Sequence, residues 1–148
     1  MRNVGSFLKV IGVALILVMP VFMLGLNSSD ANEVRVIRIY GGGGYGEGGH
    51  FTGLRLEPQT VTVSTKTTVV WLNIGRQPDV DVIFKEGKAC KDGTDAAVRF
   101  NLAQDNCYVT SFVAQGETSS LKFTQKGTYK YKVKAGTFES DGKIIVVE

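Results

Sequence analysis

The sequence predicts an all-β sandwich of about eight strands, carried as one exported domain. Three observations lead there. Beyond residue 31, no stretch of ten or more residues places apolar side chains at helical spacing. Short β-branched and aromatic runs recur instead, separated by Gly, Pro, Asn and Asp. Finally, Tyr129, Tyr131 and Val133 alternate with Lys130, Lys132 and Lys134, which is the period of two expected of a half-buried strand.

The chain opens with Met1, Arg2 and Lys9 around a few neutral residues, and an uncharged run over 10–26 follows. Asn27-Ser28-Ser29-Asp30-Ala31 comes next, completing the basic, apolar, small-residue order of a secretory signal peptide. Ser29-x-Ala31 supplies small side chains at two alternating sites, so the cut is placed after Ala31. The alternative is an uncleaved membrane anchor. Against it, the run of 17 residues falls just below the usual transmembrane length, and Pro20 and Gly25 weaken it. Cleavage leaves residues 32–148, the size of one domain. That part keeps 15 of the 17 basic and 13 of the 14 acidic residues, a net +2. A balance so even gives no reason to expect nucleic acid. The expected location is periplasmic, cell-surface or secreted, with membrane contact only through an uncleaved leader.

The elements follow in order. Residues 34–40 form the first run, and a glycine-rich tract over 41–49 separates it from Phe51-x-x-Leu54-x-Leu56, which Pro58 ends. Runs at 60–63, 69–73 and 80–84 come next. Residues 85–106 then read as a loop-like insertion with one short strand at 98–102, and they contain Cys90. The last third holds runs at 108–113, 120–123, 128–134 and 143–147. Asp81 alternates with Val80 and Val82 as a strand's outward polar residue.

Cys90 and Cys107 both lie in the exported part, and an even count in an oxidising compartment predicts a disulfide. Its loop of 16 intervening residues would contribute about 3 kcal/mol through chain entropy. The spacing matches no zinc pattern. The row Lys130, Lys132, Lys134, helped by Lys122 and Lys126, suits an acidic partner; the same row also suits a solvated face or a protected edge strand.

Two enzyme-like motifs fail on context. Gly41-x-Gly43-x-x-Gly46 and Gly44-x-Gly46-x-x-Gly49 match the dinucleotide fingerprint, but that motif must open a helix and Phe51 begins an extended segment. A Ser-His-Asp hydrolase would have to use His50, the one histidine, and no Gly-x-Ser-x-Gly elbow presents a serine. The chain is therefore read as non-enzymatic.

Leu54-x-Leu56-x-Pro58-x-x-Val61-Thr62-Val63, then Thr67-Thr68-Val69-Val70-Trp71-Leu72-Asn73, resembles the opening half of a cupredoxin, the Greek-key sandwich of plastocyanin and azurin. Phe123-x-x-x-Gly127-x-Tyr129-x-Tyr131 and the run Gly142-Lys143-Ile144-Ile145-Val146-Val147 are similar to its closing strands. The resemblance implies a copper site, and the chain departs from the family where that site belongs. The first histidine position falls at or near Asp79, the cysteine position falls on Val133, and the segment from Lys134 to Asp141 holds neither histidine nor methionine. All three methionines, Met1, Met19 and Met23, lie in the leader. Two imidazoles and a thiolate are what a type 1 copper site needs.

The resulting expectation is a cupredoxin-like domain with a disulfide-clipped insertion and no cofactor. It would be a binding or scaffolding module for an envelope or extracellular protein or polymer. The alternative is a periplasmic metal-binding or electron-transfer protein with non-standard ligands. Under that reading His50, Asp79, Glu139 and Asp141 hold a divalent ion such as copper, zinc or calcium.

Overall fold

Two β-sheets pack face to face in the computed structural model, which describes residues 33–43, 51–76 and 78–148. The segment expected to be a signal peptide and His50 lie outside the described residues. The elements are β1 (Val34–Gly43), β2 (Phe51–Glu57), β3 (Thr60–Ser64), β4 (Thr68–Asn73), β5 (Asp81–Phe84) and α1 (Gly87–Asp92). They continue with β6 (Thr94–Val98), β7 (Phe100–Leu102), β8 (Tyr108–Thr110), β9 (Thr118–Phe123), β10 (Gly127–Ala135) and β11 (Phe138–Val147). One sheet has the order β2-β1-β4-β9-β6, the other β3-β11-β10-β5-β8-β7. β1 runs parallel to β4 and β3 parallel to β11, and the other pairings are antiparallel.

The alternation seen in the sequence decides what is inside. In β4, Val69, Trp71 and Asn73 point inward and Thr68, Val70 and Leu72 outward. β10 sends Tyr131, Val133 and Ala135 into the core, and β9 sends Leu121 and Phe123. Trp71 sits at the centre, edge-on to Phe84 at 5.8 Å, to Phe100 at 5.5 Å and to Tyr131 at 5.5 Å between ring centroids. The glycine tract begins in extended backbone: Gly41 and Gly42 pair with Leu54 and Gly53 across β1 and β2. From Phe51 the described chain is the strand β2, and residues 44–49 of the glycine motifs lie outside the described residues.

The region 85–106 keeps the short strand expected at 98–102, as β7, but is otherwise more ordered than the loop expected of it. It holds α1, β6 and β7. α1 is six residues long, too short for a helical period to show in the sequence. Gly93 N–H closes it by donating to Ala89 O at 3.0 Å, and the Thr94 hydroxyl donates to Cys90 O at 2.8 Å. In β6 the register against β9 slips between Asp95 and Val98, with Ala96 at φ 47°. That bulge destroys the alternation by which a strand is recognised.

The expected disulfide is not found: Cys90 and Cys107 are both free thiols. Cys90 faces the core from α1, 2% exposed, and burial pushes its thiol up to about 12. Cys107 is half-buried in the loop before β8, and its thiol is raised first by burial and then by its hydrogen bond to the Asp105 carboxylate and that group's charge. One sulfur is committed to the core and the other to a loop carboxylate.

Candidate functional site

The end of the sandwich where β4 stops, β5 starts and β10 turns into β11 is where the sequence places the family's metal. Asn73 is fully buried there, and its Nδ2 donates to Val113 O at 2.9 Å. Its own N–H donates to Glu117 O at 3.1 Å, and its C=O accepts from Gly116 N–H at 2.7 Å. The asparagine thus ties the end of β4 to the 113–117 turn. Arg99 grips both carboxylate oxygens of Glu117, at 2.7 and 2.8 Å, and holds that carboxyl below its usual range. Beside this clamp Phe112 stands 68% exposed.

Val133, at the position of the family's thiolate, is fully buried and pairs with Val82 and Ser140. Only Gly136 and Thr137 separate β10 from β11. Gly136 sits at φ 58°, the left-handed conformation that a tight hairpin turn requires and glycine adopts without strain. The segment 134–141, read from sequence as a loop, is therefore mostly strand. A strand alternates its side chains, so Glu139 and Asp141 face outward rather than gathering at the sandwich end.

Outside, they meet lysines. Lys132 Nζ contacts Glu139 Oε2 and lies 3.7 Å from Asp141 Oδ1, and Lys134 Nζ lies 2.7 Å from Glu139 Oε1. Lys132 first and Lys134 next hold the Glu139 carboxyl down at about 2. Asp79 is exposed between Pro78 and Val80. Asp81 is half-buried: burial pushes its carboxyl up and the Asp79 charge adds to this, while the Phe112 N–H and Lys134 oppose it. Among the described residues no three His, Cys, Asp or Glu side chains come together as a metal-holding group. Asp79, Glu139 and Asp141 are thus not assembled into one site, and His50 lies outside the described residues. The described side chains, which include no histidine and no methionine, do not assemble a type 1 copper centre; Val133 is packed in the core and a two-residue turn joins β10 to β11.

The lysine row is likewise redistributed. Lys132 and Lys134 are neutralised by Glu139 and Asp141, and Lys126 pairs with Glu148. β10 lies between β11 and β5, so the row does not protect a sheet edge. Lys130 remains, and directly across from it stands Lys143, which the sequence shows only as the start of a strand.

The paired Glu139 has a pH signature. An ordinary glutamate titrates at 4.5 and this one at about 2. Its contribution to stability is complete above the higher value and is lost as pH falls toward the lower. Glu139→Gln is expected to lower the melting temperature at pH 7 and to leave it nearly unchanged at pH 2. Equal losses at both pH values would contradict the pairing.

A sandwich of two sheets in which β1 runs parallel to β4 and β3 parallel to β11 has the cupredoxin-like fold. The chain belongs to the plastocyanin/azurin family of copper binding proteins, whose family model matches residues 47–146. No curated protein matches it. Among solved structures it is similar to a reduced tyrosine-for-tryptophan variant of amicyanin, at 18% identity over 80% of this chain and 87% of that one, TM-score 0.47. It is similar also to the Cu(I) form of a glutamine-for-methionine variant of amicyanin, at 19% identity over 79% and 85%, TM-score 0.47. An oxidized lysine-for-methionine variant of amicyanin matches at 24% identity over 60% and 70%, TM-score 0.43.

Proposed function

We propose that this chain is an exported, non-enzymatic binding domain that uses the cupredoxin sandwich without a type 1 copper centre. The observation that carries this reading is Val133, wholly buried where the family's thiolate would stand and followed after Ala135 by a two-residue turn. A thiolate there would need the loop that brings it an imidazole, and the strand continues instead. Export is supported by the basic, apolar, small-residue order of residues 1–31. The location is then periplasmic, cell-surface or secreted, and the partner an envelope or extracellular protein or polymer.

The family's description as copper binding proteins favours the competing reading, a periplasmic metal-binding or electron-transfer protein with non-standard ligands. One measurement separates the two. Copper(II) is added to the purified protein, the sample is desalted, and visible absorption and metal content are recorded. Less than about one-tenth of an equivalent retained, with no intense visible band, is expected on inventory grounds. A stoichiometric copper content overturns the proposal, and an intense charge-transfer band would identify a thiolate-ligated centre.

A further inference from the structure

On the outer face of the six-stranded sheet the charges are sorted by row. Asp81, Lys134 and Glu139 are successive Cα partners across β5, β10 and β11, and Ile83, Lys132 and Asp141 form the next row. Each of these rows carries its own carboxylates, and the ion pairs described above join them. The third row differs. Lys130, Lys143 and Thr60 lie opposite one another across β10, β11 and β3.

Two ammonium side chains are therefore direct cross-strand neighbours. Paired Cα atoms in an antiparallel ladder stand only about 4.5 to 5.5 Å apart, and like charges so placed repel. Among the described residues, neither lysine has an ion-pair partner. A dish of about 290 Å³ opens at this row, lined by Gln59, Thr60, Lys130, Asp141 and Lys143. Gln59 uses one N–H to hold Asp141 O at 2.9 Å, and the second hydrogen of that amide remains. The Asp141 carboxylate is the one negative group at the rim, and it leans toward Lys132.

We propose that this row is an oxyanion site, in which the Lys130 and Lys143 ammoniums, helped by the Thr60 hydroxyl and Gln59 amide, hold a phosphate- or sulfate-type group. It rests on the reading of this chain as a binding domain and names the chemistry bound. A lysine ammonium is a compact charge with three rotatable donors, suited to a tetrahedral oxyanion that offers acceptors in several directions. A doubly charged anion between the two lysines removes the repulsion of the empty row. Neither paired row offers this, because their lysines already hold carboxylates.

The test is a titration of the purified protein with inorganic phosphate at constant ionic strength, followed through backbone amide shifts. Saturable shifts are expected at Thr60, Lys130 and Lys143. Lys130→Gln and Lys143→Gln should each weaken binding about tenfold, the scale of one charge-assisted contact. Asp141→Asn should tighten it, whereas Lys91→Gln on α1 should leave it unchanged. Both row variants relieve repulsion, so their melting temperatures should stay at or above that of the parent, which separates lost binding from lost folding. Glycerol phosphate forms a second arm: binding as tight as phosphate assigns the site to an esterified group on a larger molecule, and much weaker binding assigns it to the free ion. Shifts that never saturate, an equal loss in Lys91→Gln, or weakening in Asp141→Asn overturn the site. The copper measurement is independent of all of these, so the proposed binding role and this ligand can fail separately.

Discussion

Trp71→Ala is expected to destabilise the domain by about 3 to 5 kcal/mol, the range for deleting a large aromatic side chain from a packed core. Trp71 is fully buried and meets three other rings edge-on, so its removal leaves Phe84, Phe100 and Tyr131 facing a common void. Those rings come from three strands of the six-stranded sheet, β5, β7 and β10, and small rotations of one cannot fill the space without disturbing the others. The indole N–H carries a second, opposite effect. Trp71 Nε1 and the Tyr131 hydroxyl are both buried and make no hydrogen bond of full geometry, although the indole N–H lies close enough to oppose the upward push that burial gives the Tyr131 hydroxyl; this weak pairing is a standing cost that alanine would remove in part. Cavity formation outweighs it, because that relief is worth only about 1 to 3 kcal/mol and takes a polar neighbour away from the buried Tyr131 hydroxyl. Trp71→Phe keeps a ring and discards the weakly paired N–H, and should cost only about 1 to 2 kcal/mol. Urea unfolding at constant slope measures both. A loss below about 1 kcal/mol for the alanine variant would mean that the aromatic cluster is not the core of this sandwich.

Gly87→Ala should be the most damaging small substitution, costing about 2 to 3 kcal/mol despite favouring helix locally. Helix propensity alone predicts a gain of about 1 kcal/mol. Sterics reverse the sign: a Cβ at Gly87 would overlap the Asn106 carbonyl oxygen, the Cys107 carbonyl carbon and the Tyr108 nitrogen. These are backbone atoms at the start of β8, so no rotamer change relieves the overlap and α1 must lift. Lifting α1 uncovers Cys90, which supplies a second readout. In the parent, burial keeps the Cys90 thiol protonated up to about 12, so a thiol reagent at pH 8 should count one reactive cysteine, Cys107. The variant should count two. Lys88→Ala, on the exposed side of the same helix, should alter stability by less than about 0.5 kcal/mol and leave the count at one. Two reactive thiols in the parent would refute the buried position of Cys90.

The strands that the sequence announces most clearly are those whose side chains alternate without interruption. Val69, Trp71 and Asn73, and again Tyr131, Val133 and Ala135, stand inward as their spacing requires. Where alternation breaks, so does legibility. α1 is shorter than two helical turns, and the Ala96 bulge hides β6, so within 85–106 only the short strand at 98–102 is legible although the backbone is ordered into three elements. The cysteine pair misleads for a different reason. Parity and compartment predict a bond, but bonding also requires both sulfurs to face each other, and Cys90 faces the core while Cys107 faces Asp105. At the candidate site, residue identities are legible in the sequence, but the two-residue turn between β10 and β11 is not.

The sequence by itself determined the sandwich class and the inward face of most strands. Each of these depends on residue identity or on a periodicity internal to one segment. Only the tertiary structure decided which charges meet. Lys134 lies across from Glu139 and Lys132 across from Asp141, while Lys130 lies across from a second lysine, thirteen positions away, that borders the dish. The difference between a neutralised row and a charged one is a matter of register. Register is set by the turn at Gly136 and by the hydrogen bonds between β10 and β11, and shifting it by one residue would turn every side chain to the other face.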